Sequence, residues 1–263
     1  MRSAAAAAIR RHAVSPVLVG AIVFAWAVAV VAQATGNSEL VHHDTLVEGD
    51  LPVGVALGIF LLAWQLMIAA MMLPSSLPLM RAFKLVAGKG PRPGRASLAL
   101  YGGYAAVWSL FGAAALLLDV WIHRLVESWA WLEANPQLIA GSVLILAGAF
   151  QFSDLKERCL RQCRNPQAFL MQHYGRGTVK AFHLGRAHGL HCLGCCWALM
   201  LVMFAAGVAT LWWMAALTAV MVYEKTGKGG RRAVPVVGVT LLALAALVLA
   251  HPAGVPEIVA GPR

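Results

Sequence analysis

Five residues able to hold a soft metal ion fall within nine positions: His188, His191, Cys192, Cys195 and Cys196. They belong to the run His188-Gly-Leu-His191-Cys192-Leu-Gly-Cys195-Cys196-Trp197-Ala-Leu-Met200, which opens a long apolar stretch. Thiolate and imidazole together suit copper(I) or zinc(II), because both ions favour polarisable sulfur and nitrogen over hard oxygen. On a helix, residues three and four apart share a face. His188, Cys192, Cys196 and Met200 then make one stripe, with His191 and Cys195 beside it. Gly189 and Gly194 predict that the start of this segment is partly unwound. The bland alternative is that the cysteines are small residues in close helix packing.

The other two cysteines, Cys159 and Cys163, are an i, i+4 pair in a basic segment. Neighbouring cations should lower their pKa. A third set of soft ligands lies in Trp64-Gln-Leu-Met67-Ile-Ala-Ala-Met71-Met72-Leu-Pro74-Ser75, where Met67, Met71 and Met72 offer thioethers. Pro74 and Pro78 should free backbone carbonyls and bend the helix. Methionines also fill gaps in helix packing, which is the ordinary explanation for all three. Trp64, Trp212 and Trp213 are read as packing or interface residues, and His173 and His183 as surface histidines. His42 and His43 are read as a solvated outer pair. Glu224-Lys225 is read as the end of an apolar segment at the lipid headgroups, with an inward-facing Glu224 the lesser alternative.

The elements that must position these residues are helices in a membrane. The chain has 263 residues, of which 60% are hydrophobic and 12% charged. Its mean hydropathy is +0.73. Soluble domains carry about 25% charged residues. The expected fold is all-α: a polytopic bundle of about seven transmembrane spans, with residues 1–263 forming a single integral membrane domain. The apolar segments cover 14–34, 53–80, 98–118, 138–152, 189–206, 208–223 and 234–250. The first is too long for the core of a signal peptide.

The net charge of +10 does not point to nucleic acid, because the basic residues lie between apolar runs. Nineteen of the 21 Lys and Arg fall on alternate loops. The positive-inside rule then puts the N-terminus in the cytoplasm and the C-terminus outside, in a bacterial inner membrane. The segment 153–188 is a cytoplasmic connection lying on the membrane surface, and all five cysteines are on or near the reducing side, where free thiols are expected.

The phrases containing Met71-Met72, Cys159 and Cys163, the Cys192 cluster and Glu224-Lys225 occur in this order across 57–225. That region resembles a bacterial family of predicted metal-binding integral membrane proteins of uncharacterised function. The resemblance implies a multi-pass protein with a metal site and no established reaction. Members tend to have Tyr-Gln, a Pro before Leu-Lys and a Tyr before the first cysteine of the cluster. Here those places hold Phe150-Gln151, Asp154 and His191.

The function expected from these readings is handling of copper(I), with zinc the lesser alternative. The ion would be passed across the membrane or delivered to a membrane metalloprotein under assembly, with a metallochaperone as a further partner. Cys192, Cys195 and Cys196 are the main ligands, Cys159 and Cys163 an outer site, and Met71 and Met72 softer contacts deeper in. A thiol redox protein using Cys192-Leu-Gly-Cys195 is the alternative, although no thioredoxin-like βαβ pattern surrounds it. A scaffold subunit without metal is a third. No phosphate loop, Ser-His-Asp arrangement or intramembrane carboxylate pair argues for an enzyme.

Overall fold

The computed structural model describes residues 16–35, 52–88, 91–205 and 211–250. His42 and His43 lie outside the described residues. Within them the chain is helical throughout, without strands. In order, the helices are α1 (Pro16–Ala34), α2 (Val53–Met71), α3 (Leu73–Ala87), α4 (Pro93–Glu127), α5 (Ala130–Glu133), α6 (Gln137–Phe150), α7 (Asp154–Arg164), α8 (Pro166–His173), α9 (Thr178–Ala205), α10 (Leu211–Thr226) and α11 (Gly230–Ala250).

Five of these helices, α1, α2, α4, α9 and α11, are long and apolar enough to cross a membrane. Helix α6 has 14 residues and α10 has 16, both shorter than the usual spanning length of about 20. Helices α6 and α7 meet at a bend of 64°.

The expected unwinding near Gly189 does not occur. Helix α9 is continuous and begins at Thr178, so the sulfur-rich run lies well inside a helix rather than at its mouth. The glycines serve another purpose. A Cβ on Gly185 would collide with the Leu100 carbonyl, and one on Gly103 with the Phe182 carbonyl. Absence of side chains on both partners lets the backbones of α4 and α9 touch, which locks α9 against the longest helix of the bundle. Gly194 makes room differently: a Cβ there would lie 2.5 Å from Cys159 Sγ, so the glycine admits a cysteine from α7.

The break between α2 and α3 is the proline effect expected from the sequence. Pro74 has no N–H to give to the carbonyl four residues back, that of Ala70. The Trp26 indole of α1 donates to that carbonyl instead, at 3.1 Å. Met72 sits at the break and is fully buried. Helix α7 is capped by Ser153, whose Oγ accepts from the Lys156 N–H at 3.2 Å. Asp154 and Glu157 in its first turn and Arg161 and Arg164 in its last complement the helix dipole.

The main core runs along α2, α4, α6, α9, α10 and α11 and contains Met67, Met71, Met72, Cys192, Cys195, Cys196, Met200, Met203, Met214 and Met221. A smaller core of Leu79, Phe83, Phe169, Leu170, Ala181 and Leu184 joins α3, α8 and the first turns of α9. The segment 153–188 is not one uniform connection. Its last part is helix α9 itself, and α7 and α8 pack into the bundle.

Candidate metal centre

The sulfurs of α9 meet sulfur from two other places in the chain. Cys192 and Cys196 are one turn apart on α9, and Cys196 Sγ lies 3.6 Å from Met72 Sδ at the α2–α3 break. Cys195, rotated from them, lies with its Sγ 3.9 Å from Cys163 Sγ on α7. Cys192, Cys195 and Cys196 are fully buried, whereas Cys159 and Cys163 are half-buried. All five are free thiols. The Sγ atoms of Cys195 and Cys196 both donate to the Cys192 carbonyl, at 3.1 and 2.8 Å.

The residue at the centre of the inner group is one the sequence reading put elsewhere. Lys225 is buried, not a headgroup marker. Its Nζ lies 3.1 Å from Cys192 Sγ, 3.9 Å from Cys196 Sγ and 3.9 Å from Met72 Sδ. It also donates to Ser75 Oγ at 3.3 Å, and Ser75 Oγ donates to the Met72 carbonyl at 2.9 Å. Tyr104 OH is 3.2 Å from Cys192 Sγ and 3.5 Å from Ser76 Oγ. His188 Nε2 lies 3.1 Å from Ser76 Oγ. Three sulfurs and a hydroxyl surround the ammonium.

Glu224 is likewise buried, and its Oε2 accepts from Lys156 Nζ at 2.7 Å. Lys156 is fully enclosed. Taking both charges out of water costs several kcal/mol per ion, which their mutual attraction offsets only at good geometry. Arg164 donates to the carbonyls of Glu224 and, at 2.9 Å, Gly227. These bonds tie α7 to the end of α10, and so bring Cys163 against Cys195. Lys156, Leu160 and Arg164 form the α7 stripe that faces α10, while Cys159 and Cys163 form the neighbouring stripe that faces α9.

The remaining expected ligands are placed differently. His191 is half-buried, with Nδ1 2.9 Å from the Ala187 carbonyl of its own helix and its ring against Phe169. Met67, Met71 and Met200 are buried in the same core as the cysteines. Trp64 is a packing residue: its indole donates to the Trp108 carbonyl at 2.8 Å, and it fills the space left by Gly112. Cys192 Sγ lies against Lys225 Nζ and Cys195 Sγ against Cys163 Sγ.

The expected lowering of the outer thiol pKa values is corrected. Burial, followed by the nearby Cys195, pushes Cys159 above the ordinary thiol value. The hydrogen bond with Cys195, followed by burial, raises Cys163 well above it. Arg158 and Arg161 of α7 are exposed, Lys156 is paired with Glu224, and the two cysteines turn toward α9.

Among the described residues no three His, Cys, Asp or Glu side chains form a metal-binding group. The arrangement is instead two thiols plus a thioether, and separately a pair of thiols. Sulfurs bound to one ion at about 2.3 Å in a trigonal plane lie about 4 Å apart. The separations of 3.6 and 3.9 Å therefore fit a soft ion of low coordination number.

Lys225, Lys156, Tyr104, Ser75 and Ser76 were not singled out as contributors by the sequence reading. One signal was available: a charged Glu224-Lys225 pair closes an apolar run, and an ionisable group in such a place is a functional candidate in its own right.

No curated protein and no solved structure matches the chain. A family described as a copper chaperone, PpoB2, matches residues 61–248, which takes in the α2–α3 break, α7, the whole of α9 and Lys225. The chain belongs to this PpoB2 copper chaperone family.

Proposed function

We propose that the protein is a membrane-embedded chaperone that receives copper(I) at Cys163 and Cys195 and holds it at Cys192, Cys196 and Met72 for delivery to a metalloprotein under assembly. The observation that carries this reading is the continuous descent of sulfur from half-buried α7 to the fully buried α2–α3 break. Copper(I) exchanges between two- and three-coordinate sulfur sites without being released into water, which a run of closely spaced thiols and thioethers permits. Zinc(II) fits less well, because it favours four ligands in a tetrahedron.

In the proposed topology α6 and α10 complete seven spans, with the N-terminus in the cytoplasm and the C-terminus outside. Met72, Cys192, Lys225 and α7 then share the cytoplasmic half of a bacterial inner membrane. The core of α3, α8 and early α9 caps them on that side. Cytoplasmic placement of α7 suits uptake from a soluble metallochaperone. The protein would act on the ion as cargo and not as an enzyme.

The test is the copper content of the full chain, purified in detergent under reducing conditions and loaded with copper(I). Wild type should bind copper, and a variant with Cys192, Cys195 and Cys196 changed to Ser should bind none. Equal copper in the two proteins would sink the proposal.

A further inference from the structure

The charge of the inner site is the feature the copper reading leaves unused. Two cysteines, Cys192 and Cys196, bind an ion as thiolates, since the thiolate and not the thiol is the metal ligand. Met72 is neutral, as are Ser75, Ser76, Tyr104 and His188 around it when the histidine accepts or donates through a neutral ring. Lys225 supplies one positive charge, 3.1 Å from Cys192 Sγ and 3.9 Å from both Cys196 Sγ and Met72 Sδ. The other buried charges nearby cancel each other: Lys156 and Glu224 are paired at 2.7 Å. Arg164 lies half-buried at the edge, on the carbonyls of Glu224 and Gly227. The inner site therefore carries two negative charges and one positive one, all inside a core that excludes water.

We propose that Lys225 is a specificity-determining residue that sets the charge of the Cys192–Cys196–Met72 site to that of a monovalent soft cation. The inference rests on the copper-handling function proposed above and deepens it. A singly charged ion makes the site neutral. A divalent ion leaves one positive charge buried without a partner, which is strongly unfavourable in a low-dielectric interior. The ammonium has no lone pair and cannot bind the ion itself, so it acts by charge at close range. Copper(I) meets the charge requirement, and zinc(II) and copper(II) do not, even though zinc is as well suited to thiolate.

The experiment measures copper(I) and zinc(II) affinities separately, each by competition with a chelator of that ion, on the detergent-purified full chain kept reduced and anaerobic. Wild type, Lys225→Met and Lys225→Arg are compared. Both ions displace the same protons from the same two thiols, so the ratio of affinities isolates the charge of the cargo. In Lys225→Met the preference for copper(I) over zinc(II) should fall by tenfold or more, with zinc binding tightened and copper binding weakened. Lys225→Arg, which keeps the charge, should retain the wild-type ratio. An unchanged ratio in Lys225→Met would overturn the proposal, whatever happens to either affinity alone. Loss of the ratio in Lys225→Arg to the same extent as in Lys225→Met would also overturn it, since shape and not charge would then decide. Wild type that binds no copper(I) would end the chaperone reading and this inference with it. Wild type that binds copper through its cysteines, with a ratio indifferent to Lys225, would end only the inference.

Discussion

The two sulfur groups use the same element in different surroundings. Cys163 and Cys195 face each other across α7 and α9, with no cation in hydrogen-bonding contact among the described residues and with one partner half-buried. Cys192, Cys196 and Met72 are fully buried around the Lys225 ammonium. The first group has a half-buried member, and the two α7 thiols, Cys159 and Cys163, have raised pKa values. The second is enclosed and has its counter-charge built in. An ammonium 3.1 Å from Cys192 Sγ favours the thiolate that binds metal, and no such contact is made at Cys163 among the described residues. The contrast teaches that a gradient of affinity, outer to inner, can arise from burial and one lysine without any change of ligand type.

That comparison can be broken most directly at the inner group. Changing Cys192 and Cys196 together to Ser should bring bound copper(I) to background while leaving the outer thiols intact, as read by metal analysis. Copper retained at the wild-type level would mean that the outer pair is the main site. The next largest effect is on stability. Lys156→Met leaves Glu224 buried without its partner and should destabilise the protein by about 3–5 kcal/mol, measured by denaturation of the detergent-solubilised chain. Replacing both Lys156 and Glu224 with apolar residues of similar volume should recover most of that loss. If it does not, the pair does more than hold α7 against α10.

Cys163→Ser sharpens the comparison from the other side. It should slow copper loading by about tenfold or more, because the ion loses a neighbouring site that concentrates it, while final copper content stays near wild type. Equal loading rates would remove the outer group from the pathway. The state of the α7 thiols is tested by alkylation: Cys159 and Cys163 should react slowly at neutral pH and speed up only above the ordinary thiol pKa, because their pKa values are raised. Rapid reaction at neutral pH would show that the basic rim of α7 governs them after all. The smallest effect is expected for Met72→Leu, a near volume-conserving change that should cost less than about 1.5 kcal/mol of stability. Its copper(I) should nevertheless be removed more readily by a chelator, since only the thioether is lost.

Much of this arrangement was legible in the chain. The spacing of Cys192 and Cys196 puts them on one helix face whatever the fold. Pro74 breaks the helix next to Met72 because it lacks an N–H, and the Trp26 indole that takes the freed Ala70 carbonyl only repairs the break. Less legible was the length of α9. The basic and polar residues from Thr178 to His188 read as a loop, yet they form a helix because Gly103 and Gly185 allow backbone contact with α4, and Phe169 and Leu170 cover the exposed side. Burial of Lys156, Glu224 and Lys225 was least legible, since charge next to an apolar run is the ordinary mark of a membrane boundary.

The sequence by itself determined an all-helical, strongly apolar chain and the ligand types present, because helical period and side-chain chemistry are local properties. It also determined that Cys159 and Cys163 share a face and that the chain bends after Met72. Only the tertiary structure decided which sulfur meets which, since Cys195 could turn to Cys192 or to Cys163, and the docking of α7 settles that choice. Only the tertiary structure turned Lys225 inward, because a long side chain at a helix end reaches water or core according to what its neighbours leave open. Here the α2–α3 break leaves open a pocket of two thiols, a thioether and a hydroxyl, and the ammonium fills it.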